Sequence, residues 1–226
     1  MAARLSVVVP VLDEAAGITS ALRALVPLRA RGHEVIVVDG GSADASVELA
    51  RPLADRVLAA PRGRAAQMNA GAAAATGEAL LFLHADTVLP EAADALVLAA
   101  LQRRPWGRFD VHIASRRRML GVVGALMNLR SRLSGIATGD QAMFVRRADF
   151  EAVGGFPAIA LMEDVALSAA LRRACGWPAC LPARVSTSAR RWEQRGVWST
   201  ILLMWRLRML YFLGAEPASL ARRYGR

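Results

Sequence analysis

The chain has no lysine; all 29 basic residues among its 226 are arginine. Beside its abundant alanine this is a bias of composition, and it rules out assigning a role to any single arginine on charge alone. Cysteine is nearly absent too. Cys175 and Cys180 form a lone C-x4-C pair that lacks the two further ligands a closed zinc site needs, and they read as idle thiols of a reducing cytoplasm. There is no long unbroken apolar run. The amino-terminal MAARLSVVVPVLDE has too short an apolar stretch for a signal peptide. Arg206 and Arg208 interrupt Val197–Leu213, so that stretch does not span a bilayer. It reads as an amphipathic helix lying on a membrane, a peripheral contact through residues 197–213, or equally as a helix packed on the domain. The dinucleotide fingerprint G-x-G-x-x-G is missing, as are internal repeats and any linker rich enough in Gly, Ser or Pro to divide the chain. Aromatics make up 6% and do not interleave with the arginines, which speaks against a specific nucleic-acid partner.

What is present sets the class. A hydrophobic fraction of 54% excludes overall disorder, and the length suits one sizeable domain over residues 1–226. Charge divides it. Residues 1–100 carry 8 Arg against 11 acidic residues, and residues 101–226 carry 21 Arg against 8. An acidic amino half suits a metal and hydroxyl-rich sugars; a basic carboxyl half suits phosphates or an anionic membrane face. The change of character near residue 105 marks a donor half, about 1–104, and an acceptor half, about 105–226.

Hydrophobic periodicity gives the order of elements. Leu5–Val11 and Glu34–Asp39 are continuous apolar runs, as strands buried on both faces should be. Strands also fall at Arg56–Ala60 and Ala79–Leu83. Helices are expected from Glu14 to Ala30 with Asp13 as cap, over Asp44–Arg51 and Arg64–Ala75, and from Pro90 to Gln102. This alternation predicts α/β architecture with a mostly parallel central sheet flanked by helices. The second half is less regular. Arg108–Ser115 alternates as a strand with one wet face would. Met119–Leu133, Ala148–Val153 and Glu163–Ala174 read as helices, Gln141–Arg146 as a strand, and Ala183–Ser188 as an edge strand.

Acidic residues close or open these runs: Asp39 in VIVVDGGSAD, Asp86 in LLFLHADT, and Glu163–Asp164 in ALMEDVALSAALRR. Carboxylates at the carboxyl ends of parallel strands share one crevice. Together they can hold a nucleotide, a divalent cation and a general base. Glu14, after Pro10 at the end of the first strand, is placed to accept a ribose hydrogen bond, or simply to cap the helix it begins. Asp39 before a glycine pair can reach a base or ribose; Asp44 reads as a helix cap. Arg64 suits stacking on a base or pairing with phosphate. Asp86 is the metal candidate, because Mg²⁺ and Mn²⁺ prefer hard oxygens and take one or two carboxylates plus substrate phosphates. Glu163–Asp164, at a helix start, offers a base or merely favours the helix dipole.

In this order, VVVPVLDE at 7–14, VVDGGSAD at 37–44, RGRAAQMNAG at 62–71, ATGEALLFLHADT at 75–87, TGDQAMFVRR at 138–147, GGF at 154–156, MED at 162–164 and RRWEQRG at 190–196 resemble a family-2 glycosyltransferase of the GT-A fold. The HADT variant and compact length are similar to a bacterial subgroup of that family. The resemblance implies a GT-A-like, Rossmann-like fold and a nucleotide-sugar donor, commonly a UDP-sugar. It implies one inverting displacement assisted by Mn²⁺ or Mg²⁺. By residue, it implies donor contacts from Pro10, Glu14, Asp39, Arg64, Asn69 and His84, with metal binding by Asp86 as the last residue of D-x-D. It implies catalysis by Asp164 with Glu163 beside it, and acceptor-side roles for Arg191 and Trp192, a shortened Q-x-x-R-W. The first D-x-D position is His84, a ribose contact or a ligand for a softer ion, and Ser188 replaces the Gln, so one sugar is added per encounter. The acceptor is a hydroxyl or a lipid-linked phosphate, at the cytoplasmic face of a membrane. Two other readings stand beside this one: a sugar-phosphate nucleotidyltransferase, disfavoured because Pro10–Glu14 replaces a phosphate loop, and a non-catalytic basic protein binding membrane surface or nucleic acid.

Overall fold

A computed structural model describes residues 3–225. Four parallel strands form its amino half: β1 (Leu5–Val11), β2 (Glu34–Asp39), β3 (Arg56–Ala59) and β4 (Ala79–Phe82). The sheet continues through β5 (Thr87–Val88), β6 (Trp106–Ala114), β7 (Phe144–Arg146) and β8 (Ala179–Ser188) in the order β3-β2-β1-β4-β7-β6-β8-β5. β7 is antiparallel to β4 and β6, whereas β8 runs parallel to β6. The sheet is therefore mostly parallel and spans both halves of the chain. Its helices are α1 (Ala15–Arg23), α2 (Val26–Ala30), α3 (Ser46–Ala50), α4 (Arg64–Ala74), α5 (Ala93–Arg103) and α6 (Arg118–Ser134). They continue with α7 (Arg147–Ala152), α8 (Glu163–Cys175), α9 (Arg190–Arg195), α10 (Val197–Phe212) and α11 (Pro217–Tyr224).

Successive strand residues point to opposite faces, and both faces are covered. Val7, Val9, Val35, Val37 and Leu81 pack with Ile18, Leu22 and Val97 of α1 and α5. Val8, Ile36, Val38, Leu80 and Phe82 pack with Met68, Phe150 and Leu167 of α4, α7 and α8. This double cover is why β1 and β2 are uninterrupted Val/Ile runs. Pro10 is tolerated inside central β1 because its missing N–H faces the β4 side, and β4 stops at Phe82, opposite Val8.

Several expectations change. The helix from Glu14 to Ala30 is two pieces, since Pro27 lies in the first turn of α2 and cannot extend α1. Asp13 does not cap α1: its backbone is left-handed at φ 53, its carboxylate accepts Ala43 N–H, and Asp44 accepts the Ala15 N–H instead. The strand around Arg108–Ser115 has no wet face along most of its length, because α6 covers it. Arg108 is fully buried and paired with Asp110, which also accepts Arg132 Nη2 at 2.7 Å. β8 is longer than expected and is no edge, being paired on one side with β6 and on the other with β5. The run at 141–146 starts as a 3₁₀ turn, Gly139–Gln141, and becomes a strand only at Phe144. Cys175 and Cys180 are free and half-buried, and burial and the nearby Asp149 raise the Cys175 thiol pKa. Among the described residues, no helix is long and apolar enough to cross a membrane.

The α4–β1 contact is so close that a β-carbon on Gly71 would overlap Val8 Cγ1. Val8 is fully buried and cannot give way. Gly71→Ala should therefore lower stability by roughly 1–3 kcal/mol, as overpacked cores do, seen as a lower urea midpoint with an unchanged m-value.

Candidate active site

The carboxyl ends of β1, β2 and β4 lie on one rim, and the chain crosses that rim at Asp13–Glu14, Asp39 and His84–Asp86. Gln67 holds the first two strand ends in place by donating Nε2 to Val11 O and Val38 O, both at 2.8 Å. Asp39 ends β2 but turns on its own loop. Its carboxylate accepts Gly41 N–H at 2.9 Å and Ser42 N–H, and it takes the Ser42 hydroxyl as well. Ser42 Oγ in turn accepts Asp13 N–H at 2.9 Å. Asp39 thus rigidifies the rim loops. Glu14 reaches across the cleft to Arg190 Nη2 at 3.4 Å.

The densest chemistry follows β4. His84 is buried, and its Nδ1 lies 3.3 Å from Asp140 Oδ1. Its other nitrogen is wedged against Gly139, where a β-carbon would come within 2.5 Å of Nε2. Gly139 N–H donates to Asp164 Oδ2 at 2.7 Å, and Val165 N–H donates to Asp164 Oδ1 at 2.7 Å. The Gly139–Asp140 turn thereby joins the end of β4 to the start of α8. A reciprocal capping box between Thr138 and Gln141 braces it. Met162, buried and left-handed at φ 69, aims Glu163 and Asp164 toward the turn. Glu163 and Asp164 line a small pocket with Met68, Phe82, His84 and Phe156.

Asp140 is the residue the sequence reading left out. Its side chain is 46% accessible, yet it sits among many protein atoms, as a group on a cleft floor does. Burial opposes its ionisation, but His84, Arg64 and Arg191 outweigh that and hold the carboxyl well below the ordinary range. Arg191 completes the charge cluster. Desolvation and Arg64 lower its pKa, while Asp140 and Asp86 oppose the shift. Its guanidinium lies 5.0 Å over the Tyr224 ring and donates to the Tyr224 hydroxyl. Arg64, Asp86, Asp140 and Arg191 thus share one field.

Two anticipated contacts are placed elsewhere. Both ends of the Asn69 amide are taken by Phe156: Nδ2 donates to its carbonyl at 2.8 Å, and Oδ1 accepts its N–H at 2.9 Å. Asn69 thus supports the Gly155–Phe156 loop from behind the pocket. Trp192 packs against the apolar cluster of Leu120, Val123 and Ile201, between α6 and α10. Asp86 is exposed at its turn, and only the Thr87 hydroxyl, at 3.3 Å, bonds its carboxylate. Its hard, uncommitted oxygens, which with Asp140 act on the charge of Arg191, fit Mn²⁺ or Mg²⁺. No three ligating side chains cluster among the described residues.

Residues 6–150, more than half of the chain, match the model of glycosyl transferase family 2. The chain belongs to that family. No curated protein sequence matches it. Among solved structures it is similar to Staphylococcus aureus TarS 1-349 in complex with UDP-GlcNAc (TM-score 0.68, 20% identity, 82% of this chain and 58% of that one). It is also similar to glucosyl-3-phosphoglycerate synthase from Mycobacterium tuberculosis in complex with Mg²⁺ and UDP (TM-score 0.62, 19% identity, 82% and 70%). A third is the mannosyltransferase PcManGT from Pyrobaculum calidifontis in complex with GDP-Man and Mn²⁺ (TM-score 0.64, 23% identity, 98% and 69%). These likenesses establish the GT-A fold for this family member. The chain spans only about 60% of the TarS 1-349 chain.

The depressed Asp140 gives a pH test. A carboxyl whose folded pKa lies below its unfolded value stabilises fully above the unfolded pKa, and that stability is lost as pH falls through the folded one. Wild type should therefore exceed Asp140→Asn in urea stability above about pH 5, and the gap should begin to narrow below about pH 4 and close only as pH falls through the much lower folded value. A gap that does not vary with pH would detach Asp140 from His84 and the arginines.

Proposed function

We propose that the enzyme transfers a sugar from a nucleotide-diphosphate-sugar, a UDP-sugar in the first instance, to a hydroxyl or lipid-phosphate acceptor by a single inverting displacement. The observation that carries this reading is the juxtaposition across the Gly139–Asp140 turn. Gly139 binds Asp164, while the adjacent Asp140 lies in the field of Arg64 and Arg191, and Arg191 also in that of Asp86. The acceptor oxygen attacks the anomeric carbon as the bond to the diphosphate breaks, and a hydroxyl acceptor's proton passes to Asp164. Glu163 lines the same pocket and shapes it. Asp86 and Asp140 would hold Mn²⁺ or Mg²⁺, which supplies Lewis-acid neutralisation of the leaving diphosphate. Arg64 and Arg191 are placed to pair with the same phosphates. Pro10, Glu14 and Asp39 form the nucleoside rim, residues 1–104 the donor half and residues 105–226 the acceptor half. His84 acts through Asp140, fixing its carboxylate, and the reaction takes place at the cytoplasmic face of a membrane. The nucleotidyltransferase alternative lacks its phosphate loop, since Asp13 and Glu14 follow β1.

The test uses UDP-sugars with Mn²⁺ and reads UDP release. Asp86→Ala should lose about 10²-fold or more in turnover and most of the Mn²⁺-dependent thermal shift with UDP. Asp164→Asn should keep that shift while losing about 10²–10⁴-fold in transfer to a hydroxyl. Full activity in both variants would sink the site assignment.

A further inference from the structure

Helices α6 and α10 carry no acidic residue. α6 exposes Met119, Val122, Leu126, Leu129 and Leu133, each 41–72% accessible. α10 exposes Trp198, Leu202, Trp205, Met209 and Phe212, each 58–73% accessible. Both sets recur every three or four residues, so each forms one row along its helix. Interior side chains put the helices side by side. Leu120, Val123 and Met127 of α6 share a cluster with Val197 and Ile201 of α10, and further along Arg130 and Arg208 feel each other's charge. Amino-terminal halves therefore meet, and the helices run the same way. At about 100° per residue, the row of α6 that faces α10 (Val123, Arg130) lies about 80° beyond its exposed row. On α10 the row facing α6 (Val197, Ile201, Arg208) lies about 80° before its exposed row. For parallel helices this arrangement turns both exposed rows to one side, with Arg130 and Arg208 between them.

We infer that this face docks on an anionic lipid bilayer, and that Arg130 and Arg208 receive the phosphate of one lipid head group between the two rows. Charge complementarity selects the occupant. Arg116, Arg117, Arg118 and Arg206 are exposed around the apolar rows, so a second copy would set arginine against arginine, whereas an anionic surface neutralises them. Tryptophan, phenylalanine and leucine on one face with arginine at its margin is the pattern of a helix lying in the interface plane. The arginine pair adds an independent sign. Arg130 Nε and Nη2 and Arg208 Nε are shut from solvent without a hydrogen-bond partner. Both guanidiniums also lie within the field of Asp164, so a phosphate seated there would present itself at the reaction centre. Docking itself does not depend on sugar transfer; the lipid's role as acceptor rests on the function proposed above.

The test is co-sedimentation of the full chain with phosphatidylcholine vesicles, with and without phosphatidylglycerol. Binding is expected only to the anionic vesicles and should weaken as salt rises. Leu126→Glu with Trp205→Glu should cut partitioning at least about tenfold while the melting transition and the UDP thermal shift persist. Arg130→Gln with Arg208→Gln should weaken it about tenfold. The inference is overturned by no partitioning of wild type; by partitioning unaffected by Leu126→Glu with Trp205→Glu; or by a dimer in sedimentation, dissolved by that same double variant, without vesicle binding. Stabilisation by inorganic phosphate that needs Arg130 and Arg208, with no vesicle binding, would assign the pair to a soluble anion and also overturn it. Because partitioning does not read turnover, its failure leaves the transferase reading standing, and an inactive enzyme that still partitions leaves the docking face standing.

Discussion

The hydrogen bond from Gly139 N–H to Asp164 is the contact on which the site depends. It links a turn to the first turn of a helix, and the same turn places Asp140 against His84 at the end of β4. Three segments remote in sequence meet within two residues. Only glycine allows this, because any side chain at 139 would enter the imidazole ring. Two buried amides hold the turn from behind. Gln141 closes the capping box with Thr138 and donates to Asn128 Oδ1 at 3.3 Å, and Asn128 pairs with both backbone groups of Val111 on β6. A chain of satisfied polar groups thus runs from the sheet to the carboxylates. Fully satisfied, such a chain rigidifies; broken at one member, it leaves buried unpaired groups at a cost of about 1–3 kcal/mol each.

Strain gathers at the same place. Four non-glycine residues adopt positive φ among the described residues, and three of them border the cleft: Asp13 after β1, Ala142 after the turn and Met162 before Glu163. Each such residue costs on the order of 1–3 kcal/mol and persists only where its surroundings over-determine it. Here the surroundings are the parallel strands, whose double-sided burial fixes the rim without help from the loops. The division of labour is physical: a dry sheet supplies rigidity, and the loops at its carboxyl edge can then hold conformations that no isolated peptide would keep.

That division also explains what was legible in the sequence. Strands buried on both faces leave unbroken apolar runs, so β1, β2 and β4 and the acidic residues at their ends were readable, as was Glu163–Asp164 opening α8. Asp140 was not, because nothing local marks it: its partners His84, Arg64 and Arg191 come from three other elements. Asn69 sat inside a recognisable motif, yet its amide serves Phe156, a pairing that only the tertiary fold creates. The alternation in β6 signalled a wet face because Arg108 and Asp110 are charged. Their mutual pairing beneath α6 reverses the inference, since paired charges can be buried where single ones cannot. Pro27 was visible as a helix breaker and was overrun by the apolar periodicity on either side of it.

Helix α6 carries the last step of the argument, since its two sides obey different rules. Asn128 and Arg132 turn toward β6, where a buried polar group needs a partner; Asn128 finds Val111 and Gln141 and Arg132 finds Asp110, although the buried Ser131 hydroxyl finds none. Arg130 lies between the buried side and the exposed row, facing α10, and there the rule is broken: burial and Arg208 push its pKa down to about 10. Two like charges held close, with nitrogens sealed from water and lacking acceptors, are unfavourable in the isolated chain. The same pair becomes favourable once an anion lies between them, because Coulomb attraction and hydrogen bonding then act together where water is scarce. Asp164 offsets part of the repulsion, but both of its oxygens already accept backbone N–H groups from Gly139 and Val165. Two arginine ends without acceptors therefore lie within the field of Asp164, between the two helices that carry the apolar rows.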